Sequence, residues 1–124
     1  MQTVSELNSF RKSALAAGMT DDEISSLVTY LAKNPEAGDE IKGTGGCRKL
    51  RYAISSNNKG KSGGVRVITF FTGENMPVFL LAAFAKSVKV SLTKAERNTL
   101  KTVCDEIVKE YSTRVTRLKV GATA

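Results

Sequence analysis

Four cations have the types and spacing from which chemistry could be built: Lys49, Arg51, Arg66 and Lys86. Lysine and arginine both present donors to the non-bridging oxygens of a phosphodiester, and arginine can do so bidentately. Lys49 and Arg51 alternate along one predicted strand, Arg66 opens the next, and Lys86 follows directly on an apolar run that must hold its charge at a sheet rim. The stretch around the first three, residues 43–71, reads GTGGCRKLRYAISSNNKGKSGGVRVITFF, and no acid occurs between Glu40 and Glu74. On a ribose substrate such a cluster needs no metal. The 2′-OH can attack the adjacent phosphorus if a base takes its proton and cations stabilise the dianionic transition state. A lysine crowded by other cations has a depressed pKa and could be that base. A solvated basic face, and a surface that binds RNA without cutting it, are the other readings of the same residues.

The remaining composition narrows the chemistry. The chain has no histidine, which removes the commonest general base and the commonest metal ligand. Its two cysteines, Cys47 and Cys104, lack CxxC spacing and read as reduced, half-buried cytosolic thiols. No metal and no cofactor are expected. The glycines of 43–46 match neither a Walker nor a dinucleotide pattern, and a flexible turn into a strand is the favoured reading over a phosphate cradle.

Charge is unevenly placed along the 124 residues, which carry +7 overall with a pI near 9.6. Residues 1–40 hold three basic and seven acidic side chains, net −4; residues 41–95 hold ten basic and one acidic, net +9. A centre this positive attracts a polyanion or an acidic protein. No apolar run reaches the roughly 18 residues of a membrane span, and MQTVSELNSF lacks the regions of a secretory signal, so a cytoplasmic protein is expected.

The elements that position the cations follow from periodicity. Met1–Glu6 reads as a possible edge strand. Leu7, Phe10, Ala14 and Leu15 recur at helical spacing up to Gly18, a left-handed C-cap. Thr20 and Glu23 form a capping box for a helix with a stripe of Ile24, Leu27, Val28, Leu31 and Ala32, stopped at Asn34-Pro35. From Arg48 the period becomes two: Leu50, Tyr52 and Ile54 face one way, Lys49, Arg51 and Ala53 the other. Ser55–Gly64 is a polar hairpin loop carrying Lys59 and Lys61; Val65–Phe71 is the next strand. Val78–Ala85, apolar on both faces, reads as the buried central strand of an antiparallel meander. Thr93 and Glu96 cap a long last helix, basic over 112–120, with a disordered tail at 121–124. The expectation is one α+β domain over residues 1–120: a helical hairpin, three antiparallel strands with a possible N-terminal edge strand, and a C-terminal helix.

Three runs, NPEAGDEIKGTGGCRKLRY (34–52), GKSGGVRVITFF (60–71) and FLLAAFAKSVKVSLTKAE (79–96), together resemble the toxins of the RelE/ParE superfamily, in particular the HigB-like branch. They cover about half the chain in the family's order and spacing. The resemblance implies a RelE-like fold and a type II toxin–antitoxin toxin. It implies a ribosome-dependent mRNA interferase, an endoribonuclease that cuts A-site mRNA by metal-independent 2′-OH attack. It places Lys49 and Arg51 at the basic strand positions that contact and activate RNA, Arg66 at the arginine that holds the scissile phosphate, and Lys86 at a general acid or phosphate ligand. Lys59, Lys61, Lys89 and Arg48 are further RNA-binding candidates. The family's C-terminal catalytic tyrosine has no counterpart: Leu92 lies near its place and Tyr111 falls within the last helix. The implied partners are a helix-turn-helix antitoxin, through which alone the protein would meet operator DNA, and the ribosome with its mRNA; no membrane is implied. A same-fold toxin acting on another target such as DNA gyrase, and a non-catalytic RNA- or protein-binding module, remain the alternatives.

Overall fold

The computed structural model describes residues 2–54, 64–73, 76–85 and 93–123, with side chains as far as Tyr111. In chain order the elements are β1 (Val4–Glu6), α1 (Asn8–Ala16), α2 (Asp21–Lys33), β2 (Asp39–Glu40), β3 (Cys47–Ala53), β4 (Gly64–Phe70), β5 (Val78–Ala85) and α3 (Lys94–Thr123). The strands form one mixed sheet in the order β1-β5-β4-β3-β2. β3, β4 and β5 are the expected antiparallel meander.

The sheet is larger than three strands at both edges. The N-terminal strand exists, but it runs parallel to β5, with Val4 opposite Val78. Asp39 and Glu40, expected within a loop, form β2 against Lys49 and Arg48. Two charged residues carry no periodic signal; opposite charges directly across a ladder favour the pairing by about 0.2–1 kcal/mol each. With five strands, the middle one is β4 rather than β5, and it carries Arg66.

The helical hairpin covers one face. α1 ends at Ala17 and Gly18, where φ is +100°, with Met19 N–H donating to the Ala14 carbonyl and Gly18 N–H to that of Leu15. This doubly bonded C-terminus needs a left-handed residue, which explains the glycine. The capping box of α2 is complete, with both Thr20–Glu23 bonds present. Phe10, Ala14, Ile24, Leu27 and Leu31 pack on Val65, Val67, Leu80 and Ile54, flanked by Leu50 and Tyr52. Arg11 locks the corner, bonding both oxygens of Glu6 at 3.1 Å and Asp21 at 2.8 Å.

α3 covers the other face. Its start is the second capping box, closed by Thr93 and Glu96. Leu100, Cys104, Ile107, Val108 and Tyr111 lie over Cys47, Ile68, Phe70, Phe79 and Leu81. Tyr111 meets Phe79 edge to face, with ring centroids 6.3 Å apart, so it is a packing residue. The helical backbone continues to Thr123, through the segment read as a tail; one glycine inside a helix costs only about 1 kcal/mol. Cys47 and Cys104 are completely rather than half buried, and their sulfurs are 2.9 Å apart. Among the described residues no helix is long and apolar enough to cross a membrane.

Candidate nucleic-acid interface

The glycine turn fixes where the cationic strand begins. Gly43, Gly45 and Gly46 all have positive φ and connect β2 to β3. Thr44 is buried at their centre; its hydroxyl donates to the Ile41 carbonyl at 2.6 Å and accepts from Cys47 N–H at 3.2 Å. The segment is therefore an anchored hairpin turn. Gly38, at φ +96°, brings β2 against β3 so closely that a Cβ there would lie 2.5 Å from the Lys49 carbonyl oxygen.

From that turn the pleat sends Lys49 and Arg51 to the α3 face, away from Leu50 and Tyr52. Arg66 of β4 lies directly across from Arg51, and Phe84 of β5 directly across from Arg66. The ladder thus aligns two guanidinium-bearing residues and one aromatic in a row across three hydrogen-bonded strands. Lys49, Arg51 and Arg66 line one cleft of about 560 Å³ together with Gly38, Asp39 and Leu50. Arg51 is exposed; Lys49 and Arg66 are half-buried.

A second cleft, of about 530 Å³, shares Lys49 and is walled by Glu40, Lys42, Lys94, Arg97 and Asn98. The first turns of α3 therefore extend the cationic track begun on the sheet. Lys94 and Arg97 gave no sequence signal as site residues, because a charge in the first turn of an amphipathic helix reads as solvated. Asp39 was missed with its strand. It puts one carboxylate into the cation cleft, as the cross-strand partner of Lys49.

The other candidates divide. Arg48 is one residue out of phase: its guanidinium donates to the Gly38 carbonyl at 3.2 Å, and it lines a separate cleft with Glu36, Glu40 and Thr72. The structure does not bring it to the Lys49 face. Lys59, Lys61, Lys86 and Lys89 lie outside the described residues. Ala85, which immediately precedes Lys86, pairs with Val65 beside the Arg66 row. Among the described residues no three His, Cys, Asp or Glu side chains gather into a metal-binding group.

Chemically, the row of cations on a rigid sheet is suited to hold a phosphodiester from one side. The backbone that carries these cations is fixed by the β3–β4 ladder rather than by a loop, so it need not rearrange on binding. Residues 3–123 match the model of the family described as "RelE toxin of RelE / RelB toxin-antitoxin system". Among solved structures, the chain is similar to a mutant of the E. coli toxin RelE in the free state, with 12% sequence identity and a TM-score of 0.49, over 71% of this chain and 86% of that one.

Proposed function

The chain belongs to the RelE family of toxins of the RelE/RelB toxin–antitoxin type, and from that premise we propose that it is an mRNA interferase of the HigB-like branch. It cuts mRNA in the ribosomal A site without a metal. The observation that carries this reading is the convergence of Lys49, Arg51 and Arg66, from the neighbouring strands β3 and β4, on one cleft.

In the reaction, the ribose 2′-oxygen forms a bond to phosphorus as the P–O5′ bond breaks. The products are a 2′,3′-cyclic phosphate and a 5′-OH end, and the 2′-OH proton is taken up by a base while the leaving oxygen gains one. Arg66 holds the non-bridging oxygens of the scissile phosphate, where its charge counts more in the dianionic transition state than in the monoanionic substrate. Lys49 and Arg51 orient the ribose and its phosphate on the same face. Lys86 serves as a general acid or a further phosphate ligand. Phe84, at the end of the Arg51–Arg66 row, is half-buried against the core cluster under α3. Lys94 and Arg97 continue the track for the neighbouring phosphates. Lys59, Lys61 and Lys89 are assigned to gripping ribosomal or messenger RNA.

The inhibiting partner is an antitoxin, in this branch a helix-turn-helix DNA-binding protein, whose acidic or amphipathic segment would neutralise the cationic cleft. Tightly controlled expression followed by mapping of mRNA 5′ ends tests the proposal. New 5′-OH ends within translated codons are expected. Growth arrest with no new ends in translated messages would overturn it, and a concurrent loss of DNA supercoiling would point to a gyrase-directed toxin instead.

A further inference from the structure

The two buried thiols meet across the β3–α3 interface, and nothing in RNA cleavage uses them. Their sulfurs are 2.9 Å apart, while the residues are 57 positions apart in the chain. A disulfide bond is about 2.05 Å long, so closing one here moves the sulfurs by less than about 1 Å. Both residues sit on well-anchored backbone. Cys47 opens β3, opposite Phe70, with its N–H held by Thr44. Cys104 lies in the third turn of α3, in the same buried cluster as Ile41, Ile68, Phe70 and Phe79. We propose that Cys47 and Cys104 are a redox-active dithiol that a low-molecular-weight disulfide converts into an intramolecular disulfide, clasping α3 to β3.

The chemistry balances as a thiol–disulfide exchange. The Cys47 thiolate attacks one sulfur of the oxidant, forming a mixed disulfide and releasing one thiol. Cys104, after losing its proton to solvent, attacks the Cys47 sulfur and releases the second. Two protein thiols are oxidised, one small disulfide is reduced to two thiols, and no other reactant is needed. The order of attack follows the local electrostatics. Either sulfur can be the donor; with Cys104 keeping its proton, its S–H holds the pKa of Cys47 down, while the same bond and burial push that of Cys104 up. Burial means that the oxidant enters when α3 lifts locally, or before α3 docks during folding.

The clasp has a definite mechanical consequence. It closes a long loop, which restricts the unfolded chain, and it fixes the helix whose first turns wall the second cationic cleft. The chain contains no third cysteine, so an intramolecular disulfide can be only this one. The proposal does not depend on what the cationic face cleaves or binds.

The full chain is unfolded in urea and refolded by dilution into a graded series of reduced and oxidised glutathione, so that access to the thiols is not limiting. Acid quenching, intact mass and peptide mapping then give the state of each cysteine. The expected product is a folded monomer lighter by two hydrogens, with the Cys47 and Cys104 peptides joined. Its melting temperature should be higher by roughly 10 °C than that of the reduced protein, a shift that dithiothreitol reverses and that Cys104→Ala lacks. Free thiols, glutathione adducts or disulfide-linked dimers as the dominant folded species across the series would overturn the proposal. So would a native disulfide that lowers the melting temperature.

Discussion

Arg51 and Arg66 are Cα partners across the β3–β4 ladder and project from the same face of the sheet. Like charges placed directly opposite one another destabilise a sheet by about 0.2–1 kcal/mol. An anion bound between the two guanidinium groups would offset that repulsion. Arg51 is the exposed member and the simpler one to remove. Arg51→Gln should melt at or slightly above the wild-type temperature while binding RNA more weakly. The slope of log affinity against log salt should become shallower by about 1, measured by fluorescence titration over a series of salt concentrations.

Gly38 joins the helical hairpin to the sheet edge at a φ of +96°, with no room for a Cβ against the Lys49 backbone. A side chain there is strained in conformation and collides with a strand that cannot shift independently. Gly38→Ala should destabilise the protein by about 2 kcal/mol or more. Because β2 would be displaced from Lys49, RNA affinity should fall with it. Urea unfolding together with the same titration checks both effects.

Thr69 is fully buried at the β4–β5 bulge, and its hydroxyl has no hydrogen-bond partner among the described residues. A buried polar group left unsatisfied costs roughly 1–3 kcal/mol. Thr69→Val keeps the shape and removes the hydroxyl, so the urea midpoint should rise by the equivalent of about 1 kcal/mol with an unchanged m-value.

Tyr52 lies under α2, where burial first, and then the charge of Glu23, hold its phenol above the ordinary tyrosine pKa, partly offset by a hydrogen bond with Ser26. The folded chain therefore binds this proton more tightly than the unfolded chain. Its contribution to stability is intact below about pH 10 and is lost as pH rises through the raised folded value. Tyr52→Phe should flatten that alkaline loss relative to wild type. Parallel urea titrations between neutral pH and about pH 11 measure the difference.

What could be read from the residues, and what could not, divides along physical lines. The capping boxes at Thr20 and Thr93 are local, mutually reinforcing signals, and both form as expected. The period-two pattern placed Lys49 and Arg51 opposite Leu50 and Tyr52, which the ladder bears out. The pairing of Asp39 with Lys49 is decided by the glycine turn closing on itself, so a two-residue strand had no pattern of its own. Lys94 and Arg97 join the cationic track only because α3 crosses the sheet where it does. Cys47 and Cys104 meet for the same reason, from spacings that show nothing in the sequence. Long-range register is set by packing, and single-chain periodicity does not encode it.

The test of the RNA-cleavage proposal is performed with purified protein on ribosomes programmed with a defined message, comparing wild type with Arg66→Ala. The fold of the variant is verified by its circular dichroism and its melting transition. Wild type should cut the A-site codon, leaving a 2′,3′-cyclic phosphate and a 5′-OH, and the folded Arg66→Ala protein should lose at least about 100-fold in single-turnover rate, as expected when a main transition-state cation is removed. A folded Arg66→Ala protein that cuts at the wild-type rate, or a wild-type protein that leaves the message intact on ribosomes, would contradict it.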